Sequence, residues 1–126
     1  MTLVCRGIRG ATTADANTKE AISSATHELL REMVSANNLT EDQIAAAWFT
    51  TTRDLNAEYP ATSARLMGWT TVPMLSGHEM DVPDGTPMCI RVMVLANTDK
   101  RPEEVKFVYL KGASNLRRRG LEAPKA

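Results

Sequence analysis

The segment Cys89-Ile90-Arg91-Val92-Met93-Val94-Leu95 is an apolar run with a single arginine inside it. Short runs rich in Val, Ile and Leu are typical of a strand that is buried on both faces. Arginine stays protonated in proteins, and an unpaired buried charge costs several kcal/mol or more. We therefore expect a central strand at 88–95 in which Arg91 has an anionic partner, either a carboxylate of the protein or a bound ligand.

Capping and turn signals divide the rest of the chain into helices and strands. Asn17 and Glu20 resemble a capping box, and the apolar stripe that follows predicts a helix to about residue 36. Pro60 and Gly68 predict the start and the end of a second helix, and Thr40 with Gln43 predicts a helical turn. Further strands are predicted at 3–8, 45–51, 69–75 and 105–110, with a loop at 11–17 and a helical turn at 102–104. The order of the elements indicates an α+β fold with a mixed sheet.

Composition restricts the class of protein. The chain has 126 residues, 15 basic and 15 acidic, so we expect one domain at 1–117 and a polar, loosely held tail at 118–126. A net charge of zero argues against nucleic acid as a partner, and no apolar run is long enough for a membrane span. The N-terminus lacks the apolar core of a signal peptide. Cys5 and Cys89 lie in predicted strands, which indicates reduced core thiols in a cytoplasmic protein.

The residues for covalent or metal chemistry are few and scattered. Two histidines and two separated cysteines form no metal site of recognisable spacing, and no Gly-rich phosphate loop or assignable nucleophile is present. We therefore expect neither a metal nor a cofactor. Arg9 and Arg91 lie in predicted strands that carry no acidic partner. This pattern favours an anionic ligand with carboxylates, in a site for binding or for electrostatic catalysis.

Several motifs, in this order and spacing, together resemble one family. They are Arg6-Gly7-Ile8-Arg9-Gly10-Ala11-Thr12-Thr13, Tyr59-Pro60-Ala61 with Gly68-Trp69, Glu79-Met80-Asp81-Val82, Cys89-Ile90-Arg91-Val92-Met93, Asn97-Thr98-Asp99 and Val108-Tyr109-Leu110. The chain is similar in these motifs to the Bacillus-type, AroH-class monofunctional chorismate mutases, from Val4 to Arg117. It does not resemble the all-helical chorismate mutases.

The resemblance implies both a reaction and an architecture. The reaction is the [3,3] rearrangement of chorismate to prephenate, on the route to phenylalanine and tyrosine. It is concerted, which agrees with the missing nucleophile, and positioning with fixed charges can accelerate it. The implied fold has helices on one face of a mixed sheet. The implied assembly is a homotrimeric pseudo-barrel with active sites between the subunits.

The resemblance also implies a role for individual residues. Arg91 would donate to the ether oxygen, Arg9 and Tyr109 would bind carboxylates, and Glu79 would accept a hydrogen bond from the ring hydroxyl. The backbone at Ser76 would also meet this hydroxyl. The remaining expected residues are peripheral cations, Arg65 and Arg117, and pocket walls, Tyr59, Met74, Leu75 and Leu116. Three positions depart from the family pattern: Ser76 replaces cysteine, Thr62 replaces lysine and Tyr59 replaces phenylalanine.

Two other functions fit the same arginines. One is a trimeric small-molecule enzyme or binder of the RidA type, which also binds carboxylates with an arginine. The other is a non-catalytic regulatory module that senses a carboxylic acid. Glu79 argues against both, because a simple carboxylate sensor needs no acceptor for a hydroxyl group.

Overall fold

The computed structural model describes residues 2–116, so Arg117 and the predicted tail lie outside the described residues. Five strands form one sheet in the order β3-β2-β4-β1-β5. The strands are β1 (Val4–Thr13), β2 (Ile44–Thr51), β3 (Met74–His78), β4 (Cys89–Thr98) and β5 (Val108–Tyr109). The helices are α1 (Lys19–Asn37) and α2 (Pro60–Leu66), with short 3₁₀ turns at Glu41–Gln43, Pro102–Glu104 and Lys111–Ala113. β4 is antiparallel to β1 and β2, whereas β3 and β5 run parallel to their neighbours.

The central strand β4 has two unlike faces. Ile90, Val92 and Val94 are buried against the helix side of the sheet, and Arg91 and Met93 on the other side are only half-buried. The predicted burial of both faces is therefore wrong for the single chain, because both helices pack on one side. We call the uncovered side the open face; its members include Cys5, Gly7, Arg9, Trp48, Thr50, Leu75, Gly77, Arg91, Met93 and Leu95.

Helix α1 covers the sheet with one apolar stripe. Its buried residues recur every three or four positions and are Ile22, Ala25, Thr26, Leu29, Leu30, Met33 and Asn37. The N-cap is Thr18, whose hydroxyl accepts a hydrogen bond from the Ala21 amide at 3.1 Å, and not Asn17 as predicted. The Asn17 carboxamide is used elsewhere, because its Oδ1 accepts from the backbone amides of Asn56 and Ala57.

Three predicted strand boundaries are wrong for reasons of tertiary pairing. β1 continues to Thr13, because its Thr-rich end pairs with β4 down to Cys89. β3 begins only at Met74, since Trp69 and Val72 are buried in the core as part of a loop. The last strand is limited to the two residues of β5, which pair with Gly10 and Ala11.

The two cysteines differ in their surroundings. Cys89 is fully buried, as predicted for a core thiol, whereas Cys5 is exposed, and both are free thiols. Cys5 pairs with Asn97 on the open face, which the helices do not cover. The prediction of a core position is thus wrong for Cys5. None of the helices within residues 2–116 is both long and apolar enough to cross a membrane.

Candidate active site

The strand register brings chemically active side chains into one row across the open face. Directly paired residues share a face of a sheet, and the row consists of Gly77, Thr50, Arg91, Ala11 and Tyr109. Arg9 pairs with Met93 in the next row, so it stands diagonally from Arg91 on the neighbouring strand. The sheet therefore presents two guanidinium groups and a phenol on one surface.

A cleft of about 930 Å³ opens at this end of the face. Its lining includes four residues expected from the sequence, namely Arg9, Glu79, Arg91 and Leu116. The rest of the lining consists of Thr52, Arg53, Asp54, Met80, Asp81, Val82, Pro83, Gly85, Thr86 and Pro87. The volume lies within the range of small-molecule sites.

Arg91 has a charge partner but keeps an unused donor. Its Nε lies 3.7 Å from Oε2 of Glu79, with both side chains about one third exposed. This distance is too long for a hydrogen bond, and the buried Nε has no hydrogen-bond partner within residues 2–116. The anionic partner that the sequence predicted thus includes a carboxylate of the protein. Within the described residues, Nε is therefore still free to donate to a ligand.

Glu79 is held at the exit of β3. Its backbone amide donates to the Thr51 carbonyl at 2.8 Å, which extends the pairing with β2 by one residue. Oε1 accepts from the Met80 amide at 2.8 Å and Oε2 from the Thr50 hydroxyl at 3.3 Å. A carboxylate has about four acceptor positions, so it retains capacity for a ligand hydroxyl.

The floor beside Arg91 is apolar. Cys89 lies on the same side of β4, in a buried cluster with Ala11 and Ala113 that Tyr109 and Leu116 pack against. Burial raises the pKa of the Cys89 thiol, and the positive charge of Arg91 opposes this rise. A neutral, apolar floor lowers the local dielectric constant and strengthens the field of the arginine above it.

Tyr109 and Ser76 both have buried hydroxyl groups without a hydrogen-bond partner in the described part of the chain. The two side chains lie on opposite faces of the sheet. Tyr109 shares the open face with Ala11 and Arg91, while Ser76 pairs with the buried Phe49 on the helix side. The expectation that only backbone groups of Ser76 meet a ligand agrees with this placement.

Apart from Leu116, the expected wall residues and peripheral cations are not part of the cleft lining within the described residues of their own chain. Tyr59 and Leu75 are each 66% exposed, and Arg65 is exposed, with Nη2 donating to the Thr62 hydroxyl at 3.4 Å. Met74 packs against the core on the helix side. Arg117 lies outside the described residues. Within one chain, the structure assembles the charged part of the expected site but not its opposite wall.

Sequence reasoning missed Arg53 and the loop at 80–87, which complete the cleft. Arg53 directly follows β2, where nothing in the sequence distinguishes it from a solvated surface arginine. Its neighbour Asp54 accepts from the Met88 amide at 2.9 Å, and the Thr52 hydroxyl accepts from the Cys89 amide at 3.0 Å. These bonds fix the backbone on either side of Arg53. In the part of the chain that the structure describes, no cluster of His, Cys, Asp and Glu could hold a metal ion.

Comparisons with known proteins agree with the fold and identify the family. The family model described as chorismate mutase type I matches residues 5–119. The chorismate mutase AroH of Thermus thermophilus is 47% identical over 89% of this chain and 93% of that protein. The AroH protein of Bacillus subtilis (strain 168) is 38% identical over 91% of each chain. A solved chorismate mutase from Clostridium thermocellum superimposes with a TM-score of 0.84 at 48% identity, covering 86% of this chain and 96% of that one.

These findings confirm the α+β fold and the resemblance seen in the sequence, and they give no support to a RidA-type protein or a carboxylate-sensing module. The chain belongs to the chorismate mutase type I family, and its activity is that of a chorismate mutase, an isomerase.

Proposed function

We propose that the cleft on the open face binds chorismate and that Arg91 stabilises the transition state of its rearrangement to prephenate. The observation that carries this proposal is the Nε donor of Arg91, which has no hydrogen-bond partner among residues 2–116, is buried above an apolar floor and lies 3.7 Å from Glu79. A buried donor without a partner costs stability. This cost would be removed if a ligand atom accepted a hydrogen bond from Nε.

The rearrangement is helped by a fixed positive charge beside the ether oxygen. In the rearrangement, the ether C–O bond breaks while a C–C bond forms, and negative charge grows on the ether oxygen. No proton is transferred and no covalent intermediate arises. An acceleration of about 10⁶ corresponds to roughly 8 kcal/mol of preferential transition-state stabilisation. A fixed guanidinium in a site that excludes water is suited to supply a large part of it.

Other side chains in and beside the cleft position the substrate. Arg9 and Tyr109 stand on the same face as Arg91 and are suited to anchor the two carboxylates. Glu79, already held by Thr50 and Met80, accepts a hydrogen bond from the ring hydroxyl. Together these contacts hold the substrate in the compact conformation in which its reacting carbons are close.

A homotrimer would close the site. The open face exposes large apolar side chains, with Trp48 43% exposed and Leu75 66% exposed, and such a patch indicates an association surface. Of the expected wall residues, Leu116 lines the cleft of its own chain, whereas Tyr59, Met74 and Leu75 do not. We propose that Tyr59, Arg65 and Leu75 of a neighbouring subunit face Arg91, and that Met74 and Arg117 contribute to the same enclosure. The two free cysteines fit a reducing compartment such as the cytoplasm.

Replacing Arg91 with citrulline, which keeps the shape and the Nε–H but removes the positive charge, should lower kcat by about 10²- to 10³-fold, as for loss of electrostatic stabilisation of an oxyanion. KM should change much less. Steady-state kinetics of chorismate consumption measure both constants. Arg31→citrulline, on the exposed side of α1, is the matched control and should be near wild type. A kcat within a few-fold of wild type together with a raised KM would mean that Arg91 only binds substrate.

Substitutions at Glu79 and Ser76 should differ sharply in effect. Glu79→Ala removes a charged acceptor and should reduce kcat/KM by about 10- to 100-fold, the value of a hydrogen bond to a charged group. Ser76→Ala should stay within about threefold, because its hydroxyl lies on the helix side and has no partner to lose within the described residues. The measurement is kcat/KM for chorismate in both variants at matched folded concentration. Equal losses would contradict this assignment of roles.

Subunit mixing tests whether the site is shared. Arg91→Ala removes the charged wall, and Thr62→Trp is designed to block the opposite wall, so each homotrimer should be nearly inactive. In a random 1:1 hybrid, about one quarter of the interfaces combine two intact walls if the trimer is cyclic. Co-refolded hybrids should therefore approach a quarter of wild-type activity. Proven hybrids of two folded parents that show no recovery would place each site within one chain.

A further inference from the structure

We propose that Asn37, at the end of α1, is a positioning residue that holds β5 in place and thereby sets Tyr109 for its contact with a substrate carboxylate. This inference rests on the proposed function of the cleft. It assigns a role to a residue that is remote from the cleft lining and acts through another element.

The side chain of Asn37 links two distant parts of the chain. It is 1% exposed. Its Nδ2 donates to the carbonyls of Met33 and Lys106, each at 2.9 Å, and its Oδ1 accepts from the Lys106 amide at 2.8 Å. Both N–H groups of the carboxamide are therefore used, and both backbone polar groups of Lys106 are held by a single side chain.

Asn37 is not needed to end the helix. In the sequence, the pair Asn37-Asn38 marks the helix end as a unit. In the structure, Asn38 takes the left-handed conformation with φ of 50°, and its own backbone amide caps α1. The carboxamide of Asn37 instead serves the segment that enters β5. The two adjacent asparagines thus have separate tasks.

The backbone pairing of strand β5 is short, although the side chains of Val108 and Tyr109 also pack against the core. The strand has two residues, and in the described sheet it pairs on one side only, with Gly10 and Ala11 of β1. After Tyr109, the Leu110 amide donates to the Ala11 carbonyl at 2.9 Å, and the Gly112 amide donates to the Thr13 hydroxyl at 3.2 Å. Before Tyr109, the bonds of Asn37 to Lys106 fix the backbone three residues upstream.

Loss of the Asn37 carboxamide would leave both backbone groups of Lys106 without their partners. Because buried polar groups need hydrogen bonds, this segment would move toward water. We expect Tyr109 to move with it, because β5 is an edge strand of only two residues. The phenol would then no longer be aligned with Arg9 and Arg91 on the open face.

Hydrogen exchange tests the structural step without substrate. In Asn37→Ala, the amides of 106–110 should exchange at least about tenfold faster, while those of β4 keep their protection, as for local opening of one unit. Ile22→Val is the matched control, because it weakens α1 in a cluster that does not include β5 and should leave 106–110 unchanged. Unaltered exchange at 106–110 in Asn37→Ala overturns the proposal. If that variant does not fold, the milder Asn37→Ser is measured against the same two outcomes.

A double-mutant cycle with Tyr109→Phe tests the functional step. Asn37→Ala should raise KM by about 3- to 10-fold when Tyr109 is intact, the cost of one hydrogen bond to the substrate. In the Tyr109→Phe background it should add less than about twofold, because that bond is already absent. Equal factors in both backgrounds mean a general structural role and overturn the inference. Absence of chorismate conversion by the wild-type chain would refute the proposed function itself. The hydrogen-exchange result does not depend on activity, so it would still test the structural role of Asn37.

Discussion

The contact between the Arg91 guanidinium and the Glu79 carboxylate is the interaction on which the arrangement of this protein depends. The arginine lies on the central strand, and the carboxylate lies at the exit of β3, one strand beyond β2. Glu79 provides the countercharge that makes a half-buried cation tolerable. Its distance of 3.7 Å leaves Nε without a hydrogen bond in the described residues. A closer pair would gain stability but would occupy the donor that the reaction needs.

The two faces of the sheet differ because one of them must hold a charged group with a free donor. Helices α1 and α2 bury the aliphatic side of β4, and the core there combines helix residues such as Leu29 and Leu30 with sheet residues such as Phe49. The opposite side is left for charge, for an apolar floor around Cys89, and for contact with other subunits in the proposed trimer. The Nε of Arg91 and the Tyr109 hydroxyl have no hydrogen-bond partner in the described part of the chain, and such unsatisfied groups reduce the stability of the free protein. They also leave the site preorganised for an anion, so little reorganisation is needed during the reaction.

The sequence predicted the elements that local signals determine. The apolar run of β4, the stripe of α1, the Pro60 start and Gly68 end of α2, and the turn after Thr40 were all recognisable, because periodicity and capping are local properties. The extent of β1, the start of β3 and the exposure of Cys5 were mispredicted, because each depends on which strand or helix lies alongside. Arg9 and Arg91 stood out as strand arginines. The place of Glu79 came from family resemblance, and Arg53 was missed because its position in the cleft is set by tertiary structure alone.

The central claim is that Arg91 binds the transition state more strongly than it binds chorismate. The most direct measurement is calorimetric binding of chorismate and of a stable bicyclic dicarboxylate that mimics the compact transition state, to the wild-type protein and to Arg91→citrulline. Binding of chorismate is followed at a temperature and on a timescale at which turnover is slow. The account predicts that the variant loses about 10²-fold or more in affinity for the mimic and far less for chorismate, as transition-state complementarity requires. Equal losses for the two ligands would contradict it, because Arg91 would then contribute only uniform binding.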